Sequence, residues 1–312
     1  MKKYMIGFLI GIVAFGFFKL KFNPESILLR HLEKRYNKEF VIAYKGKRNI
    51  GISSWYEAEI YPKELVGSPR EKDKYYWAKG FVENGKGGDT YGKVLLNESA
   101  NNFYLPKLKE LFGENVLPVL DLKGGYIEED YVKEMELRNK LYKERLDGNF
   151  NPLSGGIYIF GRVESDEERE WYRKQIYEFV QFMKETGTFE YVALPINVLD
   201  ERVLSKEFQE NIELQQKLVD MGLKNKRKNV EIFRRERRRL MNELPKNLTP
   251  YVKLEEINKT EIRNSVKWSV YNNLLTTGIY SPKYVESNSL EEEYGIKNYD
   301  KLSDVSFTYE EY

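Results

Sequence analysis

Cysteine is absent from this sequence, and histidine occurs once, at His31. The first absence excludes disulfides, a thiol nucleophile, thiolate metal sites and lipid attachment through a lipobox-type cysteine. The second leaves a zinc site to carboxylates almost alone and restricts any Ser-His-Asp arrangement to His31. That residue falls in an expected helix from Ser26 to Lys38, beside Arg30 and Leu32, and reads as a surface or interfacial histidine. A charge excess is also missing: 51 basic residues face 49 acidic ones, a net charge of +2, so no global field recruits nucleic acid or an acidic partner. A complete nucleotide motif is missing as well. Gly80 to Lys86 has phosphate-loop spacing, but Gly87 stands where a magnesium-binding hydroxyl belongs and no helix opens there, so Asn84-Gly85 reads as a hairpin turn. No cofactor is called for.

What is present begins with Lys2 and Lys3 and an uncharged run from Tyr4 to Phe18. Its fifteen residues span roughly 22 Å, short of a hydrocarbon core of about 30 Å. Leu20 and Phe22 extend the apolar face while Lys19 and Lys21 snorkel. A small-x-small cleavage pattern is missing around Gly16-Phe17-Phe18-Lys19, so residues 1–22 are expected to be an uncleaved, single-pass transmembrane anchor. Gly7 and Gly11 have the GxxxG spacing that lets two such anchors dimerise. The flanking lysines are nearly balanced, and the short N-terminal tail favours an extracytoplasmic body.

Behind the anchor the chain is polar but folded, with 14% aromatic residues. The expected fold is α+β: an N-terminal transmembrane helix, an antiparallel meander with helices, a βαβαβ-like unit and a helical C-terminal part. Residues 23–115 hold the meander, with strands at Glu39 to Tyr44, Ile50 to Tyr61, Lys74 to Glu83 and Tyr91 to Leu96. Residues 116–204 hold three apolar runs separated by long helices, the pattern of parallel strands buried on both faces. Ser165 and Glu168 form a capping box before a stripe of Trp171, Tyr172, Ile176, Phe179, Val180 and Met183. Residues 205–285 contain a basic helix ending at Pro245 and a further helix from Glu261 to Leu275, and 286–312 form a polar tail.

Three constellations are candidate sites. If the apolar runs are parallel strands, their carboxyl ends bring Asp121, Glu164 and Asp200 together, a set of oxygen ligands for Mg²⁺ or Ca²⁺ and the basis of a metal-assisted hydrolase. The basic helix offers Lys226, Arg227, Lys228, Arg234, Arg235, Arg238 and Arg239 to an anionic polymer, lipid surface or nucleic acid. An aromatic face of Trp55, Tyr61, Tyr75 and Trp77 suits sugar stacking or peptide binding.

The segments Leu32 to Phe40 (LEKRYNKEF), Tyr56 to Pro62 (YEAEIYP) and Asp89-Thr90-Tyr91 resemble uncharacterised envelope proteins of Firmicutes and Fusobacteria that carry an N-terminal anchor or lipid. The resemblance covers about the first hundred residues, lacks the lipid-bearing cysteine and brings no catalytic residues. It implies a location in the envelope and leaves the mechanism open; the anchor and the absence of any complete catalytic motif point to a membrane-tethered, non-enzymatic bacterial envelope protein that binds or scaffolds an anionic envelope polymer or another envelope protein. Two rivals stand beside it: the hydrolase, and a cytoplasm-facing protein whose basic helix binds anionic lipid or nucleic acid.

Overall fold

The computed structural model of the protein describes residues 23–50, 53–122, 124–144, 152–224, 230–264 and 273–289. The expected anchor at 1–22, with Gly7 and Gly11, lies outside them, as does the tail beyond Ser289. Among the described residues no helix is long and apolar enough to cross a membrane, so the expected transmembrane element is not part of the fold described here. The chain divides into two compact units, Met1–Val94 and Leu95–Tyr312.

The first unit contains helix α1 (Pro24–Tyr36) and strands β1 (Phe40–Ile50), β2 (Ser53–Pro62), β3 (Ala78–Glu83) and β4 (Lys86–Asp89). The strands form an antiparallel sheet in chain order. Asn23 caps the helix by accepting from the Glu25 amide, and Asn37 closes it in the left-handed region at φ 51°. Leu28 and Leu32 are fully buried, and Leu28 sits so close over Gly80 that a Cβ there would lie 2.7 Å from its Cδ2. Asn84 and Gly85 both take positive φ in the β3–β4 turn, the conformation that an Asn-Gly hairpin demands.

Two expected strands differ here. Lys74–Tyr76 is a 3₁₀ turn that precedes β3. The fourth strand is β4, and Tyr91 begins helix α2 (Tyr91–Phe112) instead of a strand. Asp89 decides the second point. Its covered carboxylate accepts from the Tyr91 amide at 2.8 Å and the Tyr36 hydroxyl at 2.7 Å, and it pairs with His31 Nε2 at 2.8 Å. The turn so fixed starts a helix where tyrosine and valine alone suggest a strand.

In the second unit, β5 (Val116–Leu122), β6 (Leu153–Gly161), β7 (Ala193–Asp200) and β8 (Asn273–Tyr280) pair in that order. Only β6 and β7 are parallel; β5 and β8 run opposite to their neighbours. The expected βαβαβ unit is therefore corrected to an antiparallel–parallel–antiparallel sheet. Helix α3 (Tyr131–Glu144) lies between β5 and β6 in the chain, and α4 (Asp166–Glu185) connects the parallel pair. The misreading has a physical cause: all seven residues of β5 are buried, so its unbroken apolar pattern matches a parallel strand although its partner runs the other way.

Residues of α2, α3 and α4, among them Leu96, Tyr104, Tyr131, Ile176, Phe179 and Met183, share one core with Ile157, Ile159, Leu194, Ile196 and Val198 of the sheet. The α4 capping box forms as its sequence requires. Beyond β7 follow the short α5 (Lys206–Glu210), then α6 (Ile212–Lys224), α7 (Val230–Asn242), the short α8 (Lys259–Asn264) and, after β8, the short α9 (Pro282–Ser287). The expected helix Glu261 to Leu275 merges two different elements. Among the described residues of that span, those up to Asn264 belong to the helix Lys259–Asn264, and Asn273–Tyr280 alternates buried with partly exposed residues as a strand does.

Candidate anion-binding cleft

At the carboxyl ends of β6 and β7 a cleft of about 400 Å³ opens in the second unit. One side is the β6–α4 connection and the first turn of α4, with Arg162, Glu164, Asp166 and Arg169; the other is the C-terminal half of α7 with Arg237 and Arg238, followed by Lys246. Asp200 and Arg202 lie between them. Six cationic side chains (Arg162, Arg169, Arg202, Arg237, Arg238, Lys246) thus line the cleft against three acidic ones (Glu164, Asp166, Asp200).

The floor is internally compensated. Asp200 and Arg202 are both buried, and the guanidinium contacts both carboxylate oxygens, at 3.0 and 2.7 Å. The same guanidinium donates to the Met241 carbonyl at 2.6 Å, so it also terminates α7 where the last carbonyls lack helical partners. Arg162 donates to Glu201 at 2.9 Å and to the Lys246 carbonyl at 2.7 Å. Arg237, buried, donates to the Asn273 carbonyl at 2.5 Å and ties α7 to the start of β8.

Position also depends on Gly161, the last residue of β6. A Cβ there would lie 2.2 Å from the Tyr172 hydroxyl, which the backbone of Arg162 hydrogen-bonds. Burial pushes that phenol up to about 12. The glycine lets α4 lie against the strand end and so places Arg162 at the cleft.

The N-terminus of α4 is satisfied by its own side chains. The Ser165 hydroxyl accepts from the Glu168 amide, and the Glu168 carboxylate accepts from the amides of Glu164 and Ser165. Hydrogen bonds from its own backbone amide and the Ser165 hydroxyl hold the Glu167 carboxyl below its ordinary value. The exposed cations of the cleft, Arg238 and Lys246, are on the α7 side.

The sequence-derived sites fare differently. Glu164 and Asp200 both reach the cleft, but Asp121 pairs with Ser154, seven residues along β6 from the Gly161 that pairs with Asp200. At ~3.3 Å per residue that separation is roughly 23 Å, far beyond the ~2.6 Å reach of oxygens sharing one cation. Asp121 instead accepts from Arg263 at 3.1 Å and Asn97 at 3.4 Å. Among the described residues, no three His, Asp or Glu side chains are grouped to hold a metal ion.

Of the basic set, Lys226, Arg227 and Lys228 lie outside the described residues, and Arg234 is described only as part of α7. Arg238 lines the cleft and is exposed. Arg235 lies 3.7 Å from Glu236, and Arg239 spans Glu236 and Glu243, a charge-balanced outer face.

The aromatic set is not an open platform. Tyr61 and Trp77 stack on each other at 4.9 Å, the Trp77 indole donates to the Glu71 carbonyl, and Tyr75 is buried. Trp55 is half-buried.

Sequence reasoning missed Arg162, Arg169, Arg202 and Lys246. One signal was available: Arg162 and Arg202 each follow closely on a strand whose end was already suspected as a site.

No protein-family model and no curated protein matches the chain. Among solved structures it is similar to a DUF5037 family protein from Ruminococcus gnavus ATCC 29149, with 14% identity, a TM-score of 0.38, and coverage of 62% of this chain and 78% of that one. A likeness of that size leaves fold and function to be argued from this chain's own residues.

Proposed function

We propose that the protein is a non-enzymatic binding protein of the bacterial envelope whose second unit receives a phosphate-bearing anionic polymer at the α7 side of the cleft. The observation that carries the reading is the placement of Arg238 and Lys246. Both side chains are exposed on the cleft, while Arg202 and Arg162 behind them are occupied by Asp200 and Glu201. Cations with their charge left over are what a polyanion needs, and each phosphate contact releases condensed counterions. The internally neutral floor supports binding over chemistry, because its charged groups already hold structural partners.

The test is equilibrium binding of labelled poly(glycerol phosphate) to the whole chain. Reversing both charges, Arg238→Glu with Lys246→Glu, is expected to weaken binding by about tenfold or more, with a shallower salt dependence. Unchanged affinity in that variant would overturn the assignment. Location in the envelope belongs to the same proposal and rests on the apolar run 4–18. Digestion of the body by protease added to intact spheroplasts supports it. Protection from that protease points instead to cytoplasmic lipid or nucleic acid as the anion.

A further inference from the structure

The exposed charges on the two sides of the cleft are opposite in sign, with Arg162 and Arg169 half-buried on the α4 side. Glu164 and Asp166, both exposed, stand on the α4 side; Arg238 and Lys246, also exposed, stand on the α7 side. No ion pair joins the two sets among the described residues, and the nearest cationic partner of Asp166 is Arg169, 3.9 Å away on its own helix. A simple polyanion is drawn to one side and repelled by the other, so attraction to Arg238 and Lys246 accounts for only half of the lining. The floor offers neither sign, since Asp200 is paired with Arg202 and Arg162 with Glu201.

From this opposition we infer that the cleft takes an aminoalkyl phosphate group, its phosphate against Arg238 and Lys246 and its ammonium against Glu164 and Asp166. The inference rests on the proposed polyanion reading and specifies the repeat unit that such a polymer presents. The 400 Å³ volume fits it, holding roughly thirteen waters at about 30 Å³ each, room for a short phosphate ester and its amine but not for a folded chain. Arginine matches the phosphate oxygens in a fork, and lysine adds a point charge. Carboxylates exposed to water leave the ammonium partly hydrated, so its contribution is one of selectivity more than of total affinity.

Titration calorimetry of the whole chain with phosphorylethanolamine, ethyl phosphate and 3-aminopropanoate separates the parts. Phosphorylethanolamine is expected to bind roughly fivefold tighter than ethyl phosphate, the scale of one or two solvent-exposed ion pairs. Glu164→Gln with Asp166→Asn should bring the two phosphates to within about twofold, without weakening ethyl phosphate, whose repulsion by the carboxylates is relieved. Arg238→Ala with Lys246→Ala should weaken both alike. All four positions are exposed, so the variants fold, and unchanged circular dichroism checks this. Equal affinities in the wild type, or a preference that survives the carboxylate changes, would overturn the ammonium assignment while leaving the polyanion reading intact. Tighter binding of 3-aminopropanoate than of phosphorylethanolamine would overturn the phosphate. Binding of neither phosphate ester would defeat the polyanion reading itself and this inference with it.

Discussion

Two glycines of β6 separate backbone conflict from side-chain conflict. At Gly155, φ is +104° and a Cβ would lie 2.1 Å from the Val119 carbonyl oxygen, so Gly155→Ala forces β5 away from β6. At Gly161 the obstacle is the Tyr172 hydroxyl, the end of a side chain. Each alanine is expected to cost at least about 1–3 kcal/mol in urea unfolding, with Gly155→Ala the worse. Adding Tyr172→Phe should recover part of the Gly161→Ala loss and none of the Gly155→Ala loss. Equal behaviour would mean that the hydroxyl does not set the spacing. Arg202 is the costliest single residue at the cleft. Its removal takes the guanidinium from the buried Asp200 carboxylate and a donor from the carbonyls of Met241 in α7 and Leu244 beyond it, and Arg202→Ala should lower stability by about 3–5 kcal/mol. A loss under 1 kcal/mol would show that water reaches Asp200 freely.

At the scale of elements, β5 shows how a sheet edge is closed by a helix. Pro118, Leu120 and Leu122 alternate with the residues whose backbone faces β6. Pro118 has no amide hydrogen to satisfy, and the Leu120 and Leu122 amides donate to Asn101 and Asn97 of α2, each at 3.0 Å. The match is geometric: four residues of helix rise about 6 Å and two of strand about 6.8 Å. Asn97→Ala or Asn101→Ala should each cost about 1–3 kcal/mol by leaving a buried donor unpaired. Hydrogen exchange at the corresponding leucine amide should rise more than at its neighbours on β5. Uniform exchange across the strand would contradict the clamp.

Elements with strong local signals were legible in the sequence. The capping box Ser165/Glu168, the Asn84-Gly85 turn and the buried stripe of α4 from Tyr172 to Met183 all lie where their residues require, although Trp171 is largely exposed beside Phe112. Strand direction was not legible, because an apolar run buried on both faces looks alike in either direction. Nor was β8, whose first residues follow a helical spacing from Glu261, and that error hid the strand to which Arg237 anchors α7. The metal triad failed for the same cause: one reversed strand carries Asp121 to the far end of the sheet.

For the molecule as a whole, two compact units carry different burdens. The first holds the single histidine in a structural network around Asp89; the second holds the cleft and several buried phenols. Burial pushes Tyr158 and Tyr172 up to about 12 and Tyr131, hydrogen-bonded to Tyr104 at 2.7 Å, well above its ordinary value. Their unfolded phenols lose protons near pH ~10 while the folded ones keep theirs, so the unfolded state binds fewer protons above that pH. Stability is therefore expected to be flat from these groups below pH ~10 and to fall from there towards pH 12, read as denaturant midpoints across that range. Tyrosine absorbance that titrates fully at pH ~10 without unfolding would contradict the burial.

The central claim is that anion binding belongs to the α7 side of this cleft. Hydrogen exchange of the whole chain with and without saturating poly(glycerol phosphate) tests it most directly. The account predicts added protection in the C-terminal half of α7 and in the segment around Lys246, with the first unit unchanged. Protection confined to the first unit, or absent from both segments while the polymer is bound, would contradict it.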